Sequence, residues 1–380
     1  MHYFDWTSTS PVSNSALEEY SRASINYPGN PSSTHPLGVQ ASTFLEDCRK
    51  RIACVLGVKP SELYFTSGGT ESDNIVLQSL LNVPSPGEIV TTGIEHAAVL
   101  ENRTVLEEHG WKFTVLNCPG GYLNPDSLSK ALNPRVKMVC IMAVNNVTGT
   151  IQDLKALVSV VRNYEKQIGK KIHIHSDAVQ ALGKFIFRPN DYDLDSAAFS
   201  AHKFSGPRGT GFLWCGNTAI RALSKGGSQE HGMRGGTENV PAIGAMTKAL
   251  EDSVSAVNAN LKKVNYYRNM IEEAVGDAGY TLLSPSSESS LAYSPYIITI
   301  SVDKLPSEVF LRIMADRGFC LSAGSACSAN SRGKAERVLQ AMGFSPKQRM
   351  SAVRISLSAL NTQDEVELLC KTLKDVSKEY

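Results

Sequence analysis

Short runs of β-branched and aromatic residues alternate with helical patterns through the middle of the chain. The strand-like runs cover residues 63–65, 88–90, 111–116, 136–144, 171–175, 196–200 and 211–214. A helical pattern, with apolar side chains at three- and four-residue steps, fills the intervening residues 74–81, 97–109 and 154–168. Strands that are separated by helices need crossover connections. The pattern therefore predicts an α/β fold with a mostly parallel sheet and flanking helices.

The pattern changes near residue 240 and predicts a smaller α+β unit beyond it. Its predicted elements are a long helix, a strand, a helix, a second strand and a closing helix, at residues 240–275, 296–302, 307–317, 352–358 and 363–377. A chain of 380 residues has room for two such domains, which we place at residues 1–240 and 241–380. The proline-rich segment up to residue 38 is predicted to wrap the larger domain as a loop.

The charges of the chain are balanced, with 38 Lys and Arg against 37 Asp and Glu. This balance argues against nucleic acid or an anionic membrane surface as the main partner. The most apolar run, residues 136–144, is too short to cross a bilayer, and the first residues lack the pattern of a secretory signal. The eight cysteines lack the spacing of metal ligands, so we predict no metal site and a reducing, cytoplasmic location.

Two polar residues follow predicted strands, at the edge where a parallel sheet collects ligands. Lys203 comes after strand 196–200 and before a glycine-rich turn, where burial can make its amine reactive enough for a Schiff base. An ordinary solvated lysine is the alternative. Asp177 follows strand 171–175 and, if buried, needs a cationic partner such as a protonated pyridine nitrogen. A helix N-cap is the alternative for Asp177.

A glycine turn between a strand and a helix forms a third candidate site, in residues 66–74 (TSGGTESDN). Free backbone N–H groups at the helix start, with Gly69 and the Thr70 hydroxyl, can bind an anion. A merely capped helix is the alternative. Together with Asp177 and Lys203, the turn meets the three requirements of pyridoxal phosphate: an anion site, a carboxylate for the pyridinium and a Schiff-base lysine.

Ordered motifs extend this picture over nearly the whole chain. They lie at residues 29–35, 66–74, 95–99, 144–146, 175–180, 200–203, 233–237, 325–327 and 353–356. With these motifs the sequence resembles the cysteine desulfurases of the class V aminotransferase group, and residues 322–327 (SAGSAC) resemble the subgroup of NifS and IscS type. The resemblance implies a fold-type I pyridoxal-phosphate transferase with a smaller C-terminal α+β domain.

The resemblance also implies roles for the matched positions in binding pyridoxal 5'-phosphate. Lys203 would form the Schiff base and Asp177 would pair with the pyridine nitrogen. His96 would stack on the ring and help to move protons. The other contacts would come from Gln180 and Asn145 at the phenolic oxygen, from Gly69, Thr70, Ser200 and His202 at the phosphate, and from Thr237 across the interface of a homodimer.

Cys327 differs from the other cysteines because it lies in a loop of small and basic residues, 324–334, which favours the thiolate. An idle exposed thiol is the alternative. The resemblance implies that Cys327 takes sulfur from L-cysteine as a persulfide and that L-alanine is released, while Arg354 and Asn145 bind the substrate. The sulfur would then pass to an acceptor protein, for example an iron-sulfur scaffold or a tRNA-thiolation protein.

Two other classes of function remain as alternatives. A selenocysteine lyase or an aminotransferase would keep the cofactor, although transamination has no need for the thiol of Cys327. A non-catalytic scaffold would keep only the fold, and the presence of Lys203, Asp177 and Cys327 together argues against it.

The sequence departs from the family's pattern in four places. Trp6, Val147 and His231 replace residues that are usual in the family, and residues 332–337 form an altered basic stretch after the nucleophile. None of these positions carries the cofactor chemistry. We therefore expect the departures to affect the substrate and the sulfur acceptor, whose identities the sequence leaves open.

Overall fold

In a computed structural model of the chain, the structure describes residues 1–216, 220–222, 226–324 and 332–380. The helices are α1 (Asn14–Asn26), α2 (Pro36–Leu56), α3 (Gly69–Gln78), α4 (Ala97–Leu100), α5 (Asn102–Glu108), α6 (Pro125–Ala131), α7 (Leu154–Ile168), α8 (Val240–Ser255), α9 (Val257–Asp277), α10 (Ser307–Asp316), α11 (Arg332–Ala341), α12 (Pro346–Met350) and α13 (Gln363–Glu379). The strands are β1 (His2–Tyr3), β2 (Leu63–Thr66), β3 (Glu88–Thr92), β4 (Lys112–Leu116), β5 (Val136–Cys140), β6 (His173–Asp177), β7 (Ser196–Ser200), β8 (Gly211–Cys215), β9 (Thr281–Leu282), β10 (Ile297–Ser301), β11 (Phe319–Cys320), β12 (Ser322–Ala323) and β13 (Ala352–Ser356).

The larger sheet has seven strands in the order β2-β8-β7-β6-β5-β3-β4. Neighbouring strands from β7 to β4 run parallel, whereas β8 is antiparallel to both β2 and β7. Every residue of β3, β7 and β8 is buried, because helices and loops cover both faces of the sheet. The predicted α/β fold with a mostly parallel sheet is confirmed.

A second sheet of four strands is antiparallel and has the order β12-β13-β10-β9. Its apolar side chains form a separate core with α9, α10 and α13, which includes Ile298, Ile355 and Leu369. The predicted smaller C-terminal α+β unit is therefore present. In the described part of the chain, no helix combines the length and the apolar character that crossing a membrane requires.

The N-terminal segment differs from the predicted loop, because it contains a helix and a strand. Helix α1 begins after Ser13, whose hydroxyl accepts a hydrogen bond from Ala16 N, and it packs on α8. Only Ala16 and Ala23 of this helix are buried, so its apolar stripe is too weak to be read from the sequence. Strand β1 pairs in parallel with β11, and Phe4 enters the core of the second unit.

Two predicted helices are divided in the structure. The predicted helix at residues 97–109 breaks at Glu101 into α4 and α5, and the predicted helix at residues 240–275 breaks at Ala256 into α8 and α9. Side chains of α8 join the core of the larger sheet, whereas those of α9 join the second core. The domain boundary near residue 240 stays a prediction.

A buried ion pair fixes the segment that leads to Thr237. Arg49 on α2 donates from its two terminal nitrogens to the Glu230 carboxylate at 2.8 and 2.9 Å, and Phe65 N donates to the same carboxylate at 2.7 Å. Arg49 and Glu230 are 2% and 4% exposed. Removing one partner of such a pair leaves a buried charge without compensation.

We expect Glu230→Ala to lower the free energy of unfolding by about 3–5 kcal/mol, because Arg49 loses its buried counter-charge. Urea unfolding followed by circular dichroism measures the change. Glu107→Ala is the control, since Glu107 pairs with Arg103 at 2.8 Å on the surface and its loss should change stability little. Equal losses of unfolding free energy in the two variants would show that the buried pair contributes no more to stability than the surface pair.

Candidate active site

A cavity of about 240 Å³ lies at the C-terminal edge of the larger sheet. Strands β6 and β7 end at this cavity with Asp177 and Ser200, and helix α3 begins there with Gly69. This is the edge at which open α/β sheets bind ligands. The lining side chains and backbone belong to Gly69, Thr70, Asp73, His96, Met142, Asn146, Asp177, Val179, Gln180, Ser200, His202 and Lys203.

The start of α3 forms one end of the cavity and is suited to an anion. Gly68 has φ +147°, and a Cβ on Gly69 would lie only 2.5 Å from the side chain of Val179, so the turn requires glycine at both positions. The first N–H groups of a helix have no partner within the helix, and Gly69 and Thr70 of this turn line the cavity together with Ser200 and His202. Backbone donors, hydroxyls and the helix dipole together fit a phosphate group.

His202 and Arg208 extend this anion-binding end. Both line a neighbouring cavity of about 290 Å³ with Thr70 and Ser200. His202 Nδ1 lies 3.1 Å from the Thr9 hydroxyl, and Arg208 Nε donates to the same hydroxyl at 3.1 Å. Burial, helped by Lys203, lowers the pKa of His202 to about 4, so its ring is neutral at pH 7. Arg208 is a residue that the sequence analysis did not select.

Asp177 forms the floor of the cavity. Its carboxylate accepts a hydrogen bond from Val179 N at 3.0 Å, and the residue is only 6% exposed. Burial raises its pKa, whereas the nearby His96 and Lys203 lower it. A carboxylate in such a place binds a cation strongly, because water cannot screen the charge.

Lys203 ends a short helical turn that follows β7, and its side chain enters the cavity. Its Nζ donates to the carbonyl oxygens of Thr7 and Ser8, each at 2.7 Å. Burial and the positive charge of Arg354 lower the pKa of Lys203 to about 8. A substantial share of neutral amine is therefore available near pH 7 to 8 as a nucleophile or a base.

Lys184 is a second buried lysine, which the sequence analysis missed. It donates to Gln180 Oε1, and Gln180 Nε2 in turn donates to Thr7 O at 3.2 Å. Burial lowers the pKa of Lys184 to about 7, and the charges of Lys203 and Arg354 act in the same direction. Lys184 thus orients the Gln180 amide at the rim of the cavity.

His96 and Asn146 face the cavity from the loops that follow β3 and β5. His96 is the N-cap of α4, and its Nδ1 accepts a hydrogen bond from Ala98 N at 3.1 Å. Asn145 lies below the surface: its amide donates to Ile94 O at 3.0 Å and accepts from Val147 N at 2.9 Å. Asn146 is therefore the asparagine that lines the cavity, and the role assigned to Asn145 stays a prediction.

Arg354 approaches from β13 of the second unit. It donates to Asn146 O at 2.8 Å, to the Ser8 hydroxyl at 2.7 Å and to the Asp5 carboxylate at 3.1 Å. Its Nε is buried and has no hydrogen-bond partner among the described residues. Arg354 does not line the cavity, but it is close enough for its charge to lower the pKa of Lys203, and a guanidinium suits a carboxylate. Sequence spacing could not reveal the partnership with Asp5, which lies at the other end of the chain.

Four of the predicted site residues are not among the described residues that line the cavity: Asn145, Thr237, Arg354 and Cys327. Thr237 is exposed, and the cavity is lined without it. Cys327 lies outside the described residues. The described residues on its two sides contact different parts of the fold. Before it, Gly324 N donates to Ala352 O at 2.8 Å, and after it, Ala341 O of α11 accepts from Cys118 N at 3.0 Å.

The floor of the cavity could hold a positive charge. Ligand atoms of Asp73, His96 and Asp177 all lie within 4.8 Å of one another. A cofactor that also binds to the anion-binding turn and reacts with the amine of Lys203 would supply this positive charge as a protonated ring nitrogen. The fold and the site thus define an α/β enzyme built around a phosphate-bearing, amine-reactive cofactor.

The chain belongs to the class-V aminotransferase family, whose model matches residues 2–369. It is 34% identical to a NifS/IcsS protein homolog of Lactobacillus delbrueckii subsp. bulgaricus, over 100% of this chain and 98% of the relative. It is 32% identical to cysteine desulfurase IscS of Dictyoglomus turgidum, over 98% and 94%. A solved NifS-like protein superposes with a TM-score of 0.92 at 32% identity, over 100% of this chain and 99% of that one. The resemblance inferred from the motifs is confirmed.

Proposed function

We propose that this chain is a pyridoxal-phosphate-dependent cysteine desulfurase that converts L-cysteine to L-alanine and transfers the sulfur to Cys327. The observation that carries the proposal is the meeting of Lys203, Asp177 and the start of α3 at one cavity. These groups fit the aldehyde, the ring nitrogen and the phosphate of that cofactor. The names of the full-length relatives support the same reaction.

In this proposal, each part of the cavity holds one part of the cofactor. Thr70, Ser200, His202 and the N–H groups of α3 bind the phosphate, and Asp177 pairs with the ring nitrogen. When bound, pyridoxal phosphate supplies an electron sink for bonds broken at the α carbon of an amino acid. Asp177 is suited to stabilise that sink because its carboxylate is buried, where a charge acts more strongly than in bulk water.

Lys203 has two roles in the proposed reaction. Its Nζ would hold the cofactor covalently, and as a free amine it would accept the proton from the substrate α carbon. A pKa of about 8 suits both roles, because the amine can be neutral to attack and can still hold a proton. His96, which also lines the cavity, is placed to help with proton movement.

Arg354 is proposed to bind the substrate carboxylate. Its guanidinium already donates to Ser8 and Asp5, so the substrate carboxylate would compete with these oxygens or use the unpartnered Nε. The fork geometry suits a carboxylate better than an ammonium group would. The substrate would then lie between the cofactor cavity and β13, the strand that carries Arg354.

Sulfur transfer then involves Cys327. Its thiolate attacks the sulfur of the activated substrate, an S–S bond forms, and the substrate C–S bond breaks with its electron pair remaining on carbon. One proton must then be added to that carbon and one returned to the α carbon to give L-alanine, and the sulfur stays on Cys327 as a persulfide. We further propose that the persulfide passes to an acceptor protein and that the active unit is a homodimer in which exposed Thr237 reaches the neighbouring site.

The direct test is incubation of the purified protein with pyridoxal phosphate and L-cysteine, followed by measurement of alanine and of protein persulfide. We expect catalytic alanine formation when a thiol is present to remove sulfur from the persulfide, and one labelled cysteine per chain when it is not. A 2-oxo acid in place of alanine would mean transamination. Turnover of L-selenocysteine with none of L-cysteine would mean a selenocysteine lyase.

A further inference from the structure

A second buried aspartate lies beside Asp177 at the floor of the cavity. Asp73 belongs to the first turns of α3 and is 1% exposed. Its carboxylate lies within 4.8 Å of that of Asp177, and both residues line the cavity. Two carboxylates this close and this deeply buried repel each other, which favours a proton on one of them.

A line of hydrogen bonds runs from Asp73 along the buried face of the sheet. Asp73 Oδ1 lies 3.0 Å from His175 Nε2. His175 Nδ1 lies 2.8 Å from the Ser196 hydroxyl, and the same hydroxyl lies 2.7 Å from His173 Nε2. His175 and Ser196 are fully buried, whereas His173, at the start of β6, is only partly buried. The line therefore connects the cavity floor to a residue with access to solvent.

The line of hydrogen bonds forms because its two histidines lie two residues apart on β6. His173 and His175 point to the same face of the strand, and His175 is the register partner of Ser196 on β7. The Ser196 hydroxyl consequently lies between both rings. Burial lowers the pKa of His173 to about 4 and of His175 to about 3, so both imidazoles are neutral at pH 7. Each neutral ring has one donor and one acceptor nitrogen.

The four groups have two consistent arrangements of protons. In the first, protonated Asp73 donates to His175 Nε2, His175 Nδ1–H donates to the Ser196 oxygen, and the Ser196 O–H donates to His173 Nε2. In the second, Asp73 is ionised and all three hydrogen bonds run in the opposite direction. Every group has its partner in both arrangements, so changing from one to the other moves a single proton along the line.

We propose that Asp73 is a positioning residue that stays protonated beside Asp177, and that His175, Ser196 and His173 form a proton path between it and solvent. Neutral Asp73 leaves Asp177 as the one anion for the cation at the cavity floor. The hydrogen-bond path is independent of the cysteine desulfurase reaction; only the identity of that cation rests on the proposed function.

A proton that leaves along the path is balanced at each step. The O–H bond of Asp73 breaks as an N–H bond forms at His175 Nε2, and the N–H bond at His175 Nδ1 breaks as an O–H bond forms at Ser196. The former Ser196 proton moves to His173 Nε2, and the proton on His173 Nδ1 passes to water. The net result is an ionised Asp73, neutral imidazoles and one proton in solution.

The charged surroundings favour a proton on Asp73. Burial is the largest effect that raises the pKa of Asp73, and the charges of Asp177 and Glu95 raise it further. Burial also raises the pKa of the neighbouring Cys140 thiol and keeps it neutral. His96 and Lys203 act on Asp177 instead, whose pKa they lower. At the far end, His173 is near Asp195 and Arg162, whose opposite charges act on it in opposite directions. The proton therefore belongs on Asp73 rather than on Asp177.

Nitrogen-15 NMR of the imidazoles in the cofactor-loaded protein tests the proposal, because it reads which ring nitrogen carries hydrogen. We expect Nδ1–H tautomers for both His173 and His175 at pH 7, assigned with His173→Gln and His175→Gln. Raising the pH until Asp73 ionises should convert both rings to Nε2–H together. An Nε2–H tautomer of His175 already at pH 7 would show that Asp73 is ionised and would overturn the proposal.

Two serine variants test the path itself. Ser196→Ala should uncouple the rings, so that His175 changes tautomer with pH and His173 no longer follows. Ser176→Ala is the matched control: Ser176 is equally buried on β6, but its hydroxyl has no partner among the described residues, and the joint change should persist. If His173 still follows His175 in Ser196→Ala, no path runs through Ser196.

Replacing Asp73 tests its role toward the cofactor, with binding as the readout. The side-chain amide in Asp73→Asn keeps a donor toward His175, so this variant should retain pyridoxal phosphate affinity within about threefold of the parent, whereas Asp177→Asn should weaken it at least about tenfold. Equal weakening by both variants would mean that the charge of Asp73 is needed. These measurements of cofactor affinity do not depend on turnover. They can therefore be interpreted even if the proposed reaction is wrong.

Discussion

Lys203→Ala is expected to abolish covalent attachment of pyridoxal phosphate. Lys203 is the lysine whose Nζ enters the cavity that Asp177 and the start of α3 also line. Its lowered pKa, about 8, supplies the neutral amine that Schiff-base formation needs. The variant should lose the absorption band of the attached cofactor, and borohydride treatment should leave no cofactor on the protein.

Lys184 provides a matched control for this experiment, because it is also buried and its pKa is also lowered, to about 7. Its amine donates to Gln180 and does not line the cofactor cavity. Lys184→Met should therefore keep a borohydride-stable adduct, which peptide mapping should locate on Lys203. An adduct that persists in Lys203→Ala and maps to Lys184 would show that the wrong lysine has been assigned.

The architecture of the larger sheet could be predicted because each strand carries its own signal. Strand β7 is a short buried run followed by Lys203, and β6 ends in Asp177, so the position of both residues at one sheet edge follows from parallel pairing. The antiparallel direction of β8 could not be predicted in the same way. Its run of apolar residues is equally compatible with either direction, and only the turn that joins it to β7 decides.

Contacts between distant parts of the chain escaped prediction. Asp5 accepts hydrogen bonds from Ser8, Ser322 and Arg354, which brings the N-terminal segment, the strand before the Cys327 loop and the proposed substrate-binding arginine to one carboxylate. Nothing in the spacing of these residues indicates that they meet. Local motifs predict where a residue stands on its strand or turn, whereas the partners of a buried charge depend on how separate elements pack.

The hydrogen bond between Asp5 and Arg354 affects how strongly a substrate carboxylate can bind. Arg354 already has Asp5 and Ser8 as partners, so a substrate carboxylate gains only the difference between its own hydrogen bonds and theirs. Ser322 is bound to the same Asp5 and lies in β12, directly before the segment that leads to Cys327.

Cys327→Ala is expected to stop alanine formation without preventing the steps before it. In the proposed reaction the thiolate acts only after L-cysteine has bound and its α proton has been removed, and the groups proposed to hold the cofactor are Lys203, Asp177 and the start of α3. The variant should bind pyridoxal phosphate and L-cysteine as the parent does and should show the early absorbance changes. It should release alanine at least about a thousandfold more slowly, since no thiolate takes the sulfur.

Two further variants show whether the loss is specific to the nucleophile. Arg354→Ala should fail earlier, with substrate affinity weakened by about 2 kcal/mol, because a charge-assisted carboxylate contact is lost. Cys54→Ala, which removes an exposed free thiol of α2, should retain the parent's rate and its persulfide. Single-turnover alanine release and persulfide labelling distinguish the three cases. Alanine formation by Cys327→Ala at the parent's rate would rule out this cysteine as the sulfur acceptor.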